Sequence, residues 1–349
     1  MTLWGIEIFA IVGFLLAAYS IVANDAIQTL GTFLSSNAQR HWVVLWLYAC
    51  SIIMAVMATA WFTGNGDISF GRLNQLPYPE TGITWWHAIP PLCLMVLTRF
   101  GIPVSTTFLV LTIFAMTGGT ATEGVLGQML VKSALGYVIA LLVGGAVYAL
   151  VAGSFERWIA ATPGNSHGKV WTVLQWVSTA FLWSQWLVQD LANIFIFLPR
   201  TTLQGPEGTS VVFDGELIIF STIVMLLLHA FIFATRGGEI QKIVLTKTNT
   251  TDVRAATLVD FLYALILIFF QDLSDVPMST TWVFLGLLAG REIAIARIVA
   301  LRNQRDAIWD VVTDVGRAMI GLVVSVIVAV ALPALATGQL PSLLVAMVP

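Results

Sequence analysis

Pro103-Val104-Ser105-Thr106-Thr107 recurs far downstream as Pro277-Met278-Ser279-Thr280-Thr281. Each copy lies inside a strongly apolar stretch. Each also follows an isolated carboxylate in an earlier apolar stretch, Asp25 before the first copy and Asp190 before the second. Hydroxyl triplets and carboxylates are costly inside a bilayer. A matched pair of such sets therefore points to a polar binding site assembled from two internal repeats, as in many transporters.

The composition around these stretches sets the class. The chain has 349 residues, of which 58% are hydrophobic and 10% charged; soluble domains carry about 25% charged residues. Several apolar runs exceed the roughly 18 residues that mark a membrane-spanning helix, and no period-2 alternation signals a β-barrel. The expected fold is an all-α polytopic membrane protein. Cys50 and Cys93 lie in apolar runs without metal-ligand spacing and read as packing residues. Residues 1–23 lack a basic segment, the first positive charge being Arg40, so no cleavable signal peptide is expected.

Apolar runs fall at 3–22, 25–39, 41–62, 85–117, 125–153, 170–199, 216–235, 255–271, 276–290 and 316–336. Orientation follows from the basic residues between them. Connector 236–254 holds Arg236, Lys242, Lys247 and Arg254, and connector 291–315 holds Arg291, Arg297, Arg302 and Arg305; both read as cytoplasmic. Arg157 and Lys169 place 154–169 on the same side. Connector 63–84 has Arg72 against Asp67 and Glu80, 118–124 has only Glu123, and 201–216 carries Glu207, Asp214 and Glu216. These three read as outside. The connector before the first triplet is then outside and its counterpart, 236–254, inside. The expected organisation is two inverted repeats, 1–153 and 170–349, joined by a cytoplasmic linker at 154–169, in the cell membrane, with both termini extracellular.

The runs around the triplets are too short for two crossings each. Residues 85–117 span 33 positions, whereas two helical crossings need about 40. Both ends of this run read as outside, so it is expected to form a re-entrant hairpin with its tip at Gly101-Ile102-Pro103. Residues 255–290 form the corresponding hairpin from the other face, with a tip near Ser274-Asp275-Val276-Pro277. Fifteen helical residues rise about 22 Å, past the middle of a core about 30 Å thick. Irregular backbone at that depth must be covered by protein or line a wet cavity.

Each triplet reads as a helix start, with Pro at the first helical position followed by unpaired N–H groups and the positive end of the helix dipole. With the hydroxyls of Ser105, Thr106, Thr107, Ser279, Thr280 and Thr281 added, such a start suits an oxyanion. Asn24 and Asp25, together with Gln189, Asp190 and Asn193, suit a coupling cation: their oxygens can ligate Na⁺, and a buried Asp can instead carry a proton. Arg99, Asp272 and Asp275 flank the two tips. Arg99 either helps hold an anion or neutralises one of the two carboxylates. Glu7 and Glu123 read as solvated. Trp85-Trp86 fits an interfacial anchor. Gly64-Asn65-Gly66-Asp67 has the GxGD form of intramembrane aspartyl proteases but lacks the partner Tyr-Asp, and no HExxH, nucleophile elbow or P-loop occurs. The reading is of a non-enzyme with no cofactor.

At these residues the chain resembles the inorganic phosphate transporter (PiT) family. Ala23-Asn24-Asp25-Ala26-Ile27-Gln28-Thr29-Leu30-Gly31-Thr32 and Gln189-Asp190-Leu191-Ala192-Asn193 are similar to its paired acidic motifs, and the triplets to its Pro-Val-Ser-Thr-Thr-His motif. The His is replaced by Phe108 and Trp282, two family Asn by Gln28 and Gln189, and a Gly by Ile196. The resemblance implies cation-driven symport of a tetrahedral oxyanion. The hairpin-tip Ser and Thr would hold the anion, and Asp-containing breaks would supply ligands for Na⁺ or H⁺. It also implies a homodimer. Inorganic phosphate is the leading substrate, with a sulfate permease as the alternative. Rivals of another class are an intramembrane hydrolase and a non-transporting sensor. No nucleic-acid partner is expected.

Overall fold

In a bilayer every backbone polar group must be paired within the protein, so long apolar runs fold as helices. The computed structural model describes the chain apart from residues 1, 4, 100–103, 118–121, 123, 163–167, 206–207, 238–240, 242–251, 299–302 and 339–349. Helix α1 (Ile8–Ile21) passes through a π-helical turn (Val22–Ala26) into α2 (Ile27–Ser36). Then come α3 (Trp42–Thr63), α4 (Ile89–Arg99), α5 (Thr106–Thr117) and α6 (Val125–Ala161). The second series is α7 (Lys169–Phe195), α8 (Gly215–Ala234), α9 (Val253–Leu273), α10 (Thr280–Ile298) and α11 (Gln304–Thr337). Among the described residues, 6 helical stretches are long and apolar enough to cross a membrane: Ile8–Ser36, Trp42–Thr63, Val125–Val151, Gly215–Ala234, Val253–Leu273 and Gln304–Ala336. The chain is an all-α polytopic membrane protein. Its strands are small: β1 (Thr2–Leu3) pairs with β2 (Ile6–Glu7), and β3 (Thr201–Gly205) pairs antiparallel with β4 (Gly208–Val212), Thr201 opposite Val212.

The two series pack in matching pairs, some within a series and some exchanged between them. Helix α4 packs on α1 as α9 packs on α7, and α5 packs on α11 as α10 packs on α6. Helices α3 and α8 pack on each other. The tightest of these contacts rests on small residues, which let backbones approach closely. A methyl at Gly286 would lie 2.3 Å from the Tyr137 carbonyl oxygen, and one at Gly290 would lie 2.1 Å from that of Leu141. Helices α6 and α10 therefore touch backbone to backbone.

Several features bear on the sequence reading. Residues 3–22 and 25–39 are not separate elements: a π turn carries the helix through Asn24-Asp25 without ending it. Wider turns of this kind turn side chains and carbonyls out of the helical ladder and recur at functional sites. The expected tip of the first hairpin, 101–103, lies outside the described residues; at the expected second tip the chain leaves α9 at Leu273 and enters α10 at Thr280. Finally, 63–84 is not an ordinary surface connector. Ile68, Ser69, Arg72, Leu73 and Leu76 are buried. Asp67 accepts from the Ser69 N–H (2.7 Å), the Ser69 hydroxyl (2.6 Å) and the Gly71 N–H (2.7 Å), so the Asp of the GxGD stretch is a turn brace. Glu7 is not solvated either; it accepts from the Ile83 N–H at 2.6 Å and from the Tyr78 hydroxyl at 3.2 Å.

Candidate functional site

The two triplets start helices α5 and α10 in the same way. The Ser105 Oγ accepts from the Phe108 N–H (3.3 Å), and the Ser279 Oγ from the Trp282 N–H (3.2 Å). Bonding three residues onward makes each Ser the N-cap, with the following Thr the first helical residue. The sequence reading put Pro at that first position. Pro277 instead lies two residues before the cap, and Pro103 lies outside the described residues. The correction moves the helix start onto the hydroxyl residues: the N–H groups of Thr106, Thr107, Thr280 and Thr281 belong to first turns and have no intrahelical acceptor.

Both helix starts converge on Asp25, all the residues concerned being buried. The Thr106 hydroxyl donates to Asp25 Oδ2, and the Thr281 hydroxyl donates to Oδ1 at 3.3 Å. Asn24 Nδ2 donates to Asp25 Oδ1 at 2.7 Å and to the Val104 carbonyl at 3.0 Å. Gln28 donates to Asn24 Oδ1 at 3.3 Å, and the Thr29 hydroxyl donates to the Asp25 carbonyl at 2.9 Å. From the second series, Asn193 Nδ2 reaches Asp190 Oδ1 (2.6 Å), Thr107 Oγ1 (3.2 Å) and Thr106 Oγ1 (3.4 Å). The Thr107 hydroxyl donates to the Met278 carbonyl at 3.0 Å, tying the triplets to each other. Asn24, Asp25, Thr106, Thr107, Asp190, Asn193 and Thr281 thus form one hydrogen-bonded cluster, with Thr280 buried beside Asp190. Within it, Asp190 Oδ2 and Asn193 Oδ1 are buried without a hydrogen-bond partner.

The second acidic motif is not a helix break; α7 runs regularly through Gln189, Asp190 and Asn193 to Phe195. Gln189 takes no hydrogen bond within the cluster; it donates to the Leu267 carbonyl (3.2 Å) and accepts from Arg72 Nε (3.1 Å). Arg99, Asp272 and Asp275 are exposed, and no ion pair joins Arg99 to either carboxylate among the described residues. Asp275 instead lies against Gly71: a methyl there would come within 3.3 Å of its carboxyl carbon. Gly71 has φ +78, so this position favours glycine on both counts. Phe108 and Trp282, which stand where the PiT motif carries His, meet each other with ring centroids 5.4 Å apart.

The sequence reading missed several partners. Arg72, read as a loop charge, is buried. Burial lowers its guanidinium to about 10, opposed by Asp275, Asp190 and Asp67, so it stays charged at neutral pH. Lys132, in an apolar run, donates to the carbonyls of Ser274 (2.5 Å) and Val276 (2.8 Å) and so holds the segment between α9 and α10. Ser133 beside it accepts from the Ser279 N–H at 2.9 Å. The Tyr263 hydroxyl donates to the Thr280 carbonyl at 2.9 Å. Asp260 is fully buried and accepts from Thr32 (2.5 Å) and Thr179 (2.6 Å). The available signal was a Lys or Asp inside an apolar run. The partners themselves are distant in sequence.

No family model matches the sequence, and no curated protein matches it. Among solved structures, the chain is similar to one titled "The sodium-dependent phosphate transporter", with a TM-score of 0.59 and 17% identity over 98% of each chain. What this chain shares with that transporter, over nearly its whole length, is the fold.

Proposed function

We propose that the chain is a secondary active transporter that imports inorganic phosphate together with a cation. The observation that carries this reading is the junction at Asp25, where one buried carboxylate takes hydroxyls from both triplets, Thr106 and Thr281. In this reading the first turns of α5 and α10 hold the anion through Ser105, Thr106, Thr107, Ser279, Thr280 and Thr281, with backbone N–H groups and helix dipoles favouring negative charge. Asn24, Asp25, Asp190 and Asn193 hold the cation beside it; the unpaired oxygens of Asp190 and Asn193 suit this role. Gln189 positions that turn of α7. Placing cation and anion together offsets both charges where water is scarce.

The halves, 1–153 and 170–349, are inverted repeats. The matched packing of α4 on α1 and α9 on α7 within each half, and of α5 on α11 and α10 on α6 across the halves, supports this. Each hairpin then enters from its own face. Na⁺ is the first cation to test, because the structurally similar protein is titled sodium-dependent. The test is uptake of labelled phosphate into proteoliposomes under an inward Na⁺ gradient, an inward proton gradient, or neither, with labelled sulfate in parallel. Phosphate accumulation driven by a gradient is expected. Accumulation of sulfate alone, or of neither anion, overturns the assignment.

A further inference from the structure

We propose that Arg72 is an anion-binding residue of the central site, contributed by the 64–84 loop. The inference rests on the transport reading and adds a residue that neither the triplets nor the acidic motifs contain. Arg72 is 1% exposed. Its Nε donates to Gln189 Oε1 at 3.1 Å and its Nη1 to the Phe70 carbonyl at 3.1 Å, while Nη2 is buried without a hydrogen-bond partner. Leaving guanidinium donors buried and unpaired is costly, so such a group points to a ligand the protein is built to meet.

Its placement fits an oxyanion. One turn of α7 carries Gln189 to Arg72 and carries Asp190 and Asn193 to the threonine cluster, so Arg72 and the helix starts flank the same turn. The charges near this turn are otherwise mainly negative: Asp25 and Asp190 in the cluster, and Asp275 and Asp67 around the loop. Lys132 is engaged with the Ser274 and Val276 carbonyls. An anion entering between the loop and α7 would meet like charge unless a cation faced it, and a guanidinium suits phosphate oxygens better than an ammonium does. The loop holds Arg72 firmly, through Asp67 on the Ser69 and Gly71 N–H groups and through Arg200 Nη2 on the Leu76 carbonyl at 2.5 Å.

The test uses the purified full-length protein in detergent, with inorganic phosphate and NaCl as probes. Phosphate affinity is measured calorimetrically at fixed Na⁺, and the melting temperature is followed as NaCl is raised without phosphate. Arg72→Gln is expected to weaken phosphate binding by about tenfold or more and Arg72→Lys by a smaller factor. The Na⁺-dependent melting shift should match wild type in both. Should Arg72→Gln not fold, Arg72→Lys, which keeps the charge, decides the matter alone. Unchanged phosphate affinity overturns the proposal. So does a loss that only tracks lower melting temperature and a lost Na⁺ response, because Arg72 would then be a structural latch. A wild-type protein that binds no phosphate refutes the transport reading itself, whereas wild-type binding matched by the variants refutes only the role of Arg72.

Discussion

Replacing Asp25 by Asn keeps the shape of the cluster and removes its charge. The carboxylate accepts from three groups: Asn24 and Thr281 on Oδ1 and Thr106 on Oδ2. An amide has one oxygen. If its nitrogen took the place of Oδ1, it would face the Asn24 amide, donor against donor. The tolerable orientation keeps oxygen at Oδ1 and turns nitrogen toward Thr106, whose hydroxyl can rotate to accept. The protein should therefore fold. Hydrogen bonds to charged groups are stronger than neutral ones by roughly 1 kcal/mol each. Over the three contacts this comes to about 3 kcal/mol of stability within the cluster. Separately, a bound cation loses a counter-charge, an interaction of roughly 1.5–3 kcal/mol, so the apparent affinity for the coupling cation should fall about tenfold to a hundredfold. The assay is accumulation of labelled phosphate in proteoliposomes as Na⁺ or pH gradients are varied, with counterflow exchange measured alongside. Accumulation is expected to be lost in Asp25→Asn and in Asp190→Asn, with exchange surviving in part. If both variants accumulate phosphate like wild type under either gradient, these carboxylates do not couple transport to a cation and the mechanism fails.

Thr106→Val removes a hydroxyl at nearly constant volume and leaves Asp25 Oδ2 without its donor, so it should weaken phosphate binding about tenfold and also cost about 1–3 kcal/mol of stability, whereas Ser105→Ala removes only an N-cap and should cost about 1 kcal/mol; calorimetry and thermal melting measure both effects. Gly290→Ala sets a methyl 2.1 Å from the Leu141 carbonyl oxygen and should destabilise by about 1–3 kcal/mol. Gly127→Ala, which meets nothing within 4 Å, should not, and equal melting temperatures would refute close α6–α10 packing. In a background lacking Cys50 and Cys93, single cysteines at the exposed positions Glu80 and Arg236 should react with an impermeant thiol reagent from opposite sides of sealed vesicles. Labelling from one side would overturn the inversion of the repeats.

How much of this was legible in the sequence depended on the range of the signal. Length and hydropathy announce helices, because a bilayer leaves the backbone few alternatives. The duplicated triplet pointed to one site shared by both triplets with Asp25 and Asp190; in the structure Thr106 and Thr281 bond Asp25, and Thr107 joins them through Asn193. Local conformation was read less well. Pro suggested the first helical position, yet Ser105 and Ser279 compete for the cap with a side-chain acceptor, and the cap wins. Asn24-Asp25 looked like a helix end because both residues disfavour helix interiors; tertiary bonds to Val104, Thr106 and Thr281 hold a π turn there instead. Arg72, Lys132 and Asp260 could not be paired from sequence. Arg72 meets Gln189 across 117 positions and Lys132 meets Val276 across 144, and nothing local encodes such contacts.

The two carboxylates are not equivalent, although their motifs are. Asp25 stands on a π turn and has acceptors filled on both oxygens, one of them by a hydroxyl from the second half. Asp190 stands on a regular helix, with Oδ1 bound to Asn193 and Oδ2 buried without a hydrogen-bond partner. A buried carboxylate oxygen lacking a donor is the costlier of the two states. Of the pair, Asp190 therefore gains more from a cation or a proton, and Asp25 gains more from holding the two helix starts together. In that division of labour a cation near Asp190 neutralises charge on α7, next to Asn193. Asn193 in turn bonds both Thr106 and Thr107. The cation then bears on the first-turn hydroxyls through Asn193 and through Thr280, which lies against Asp190. That is a direct physical route by which cation occupancy could prepare the oxyanion site, and it needs no contact between the cation and the helix starts themselves.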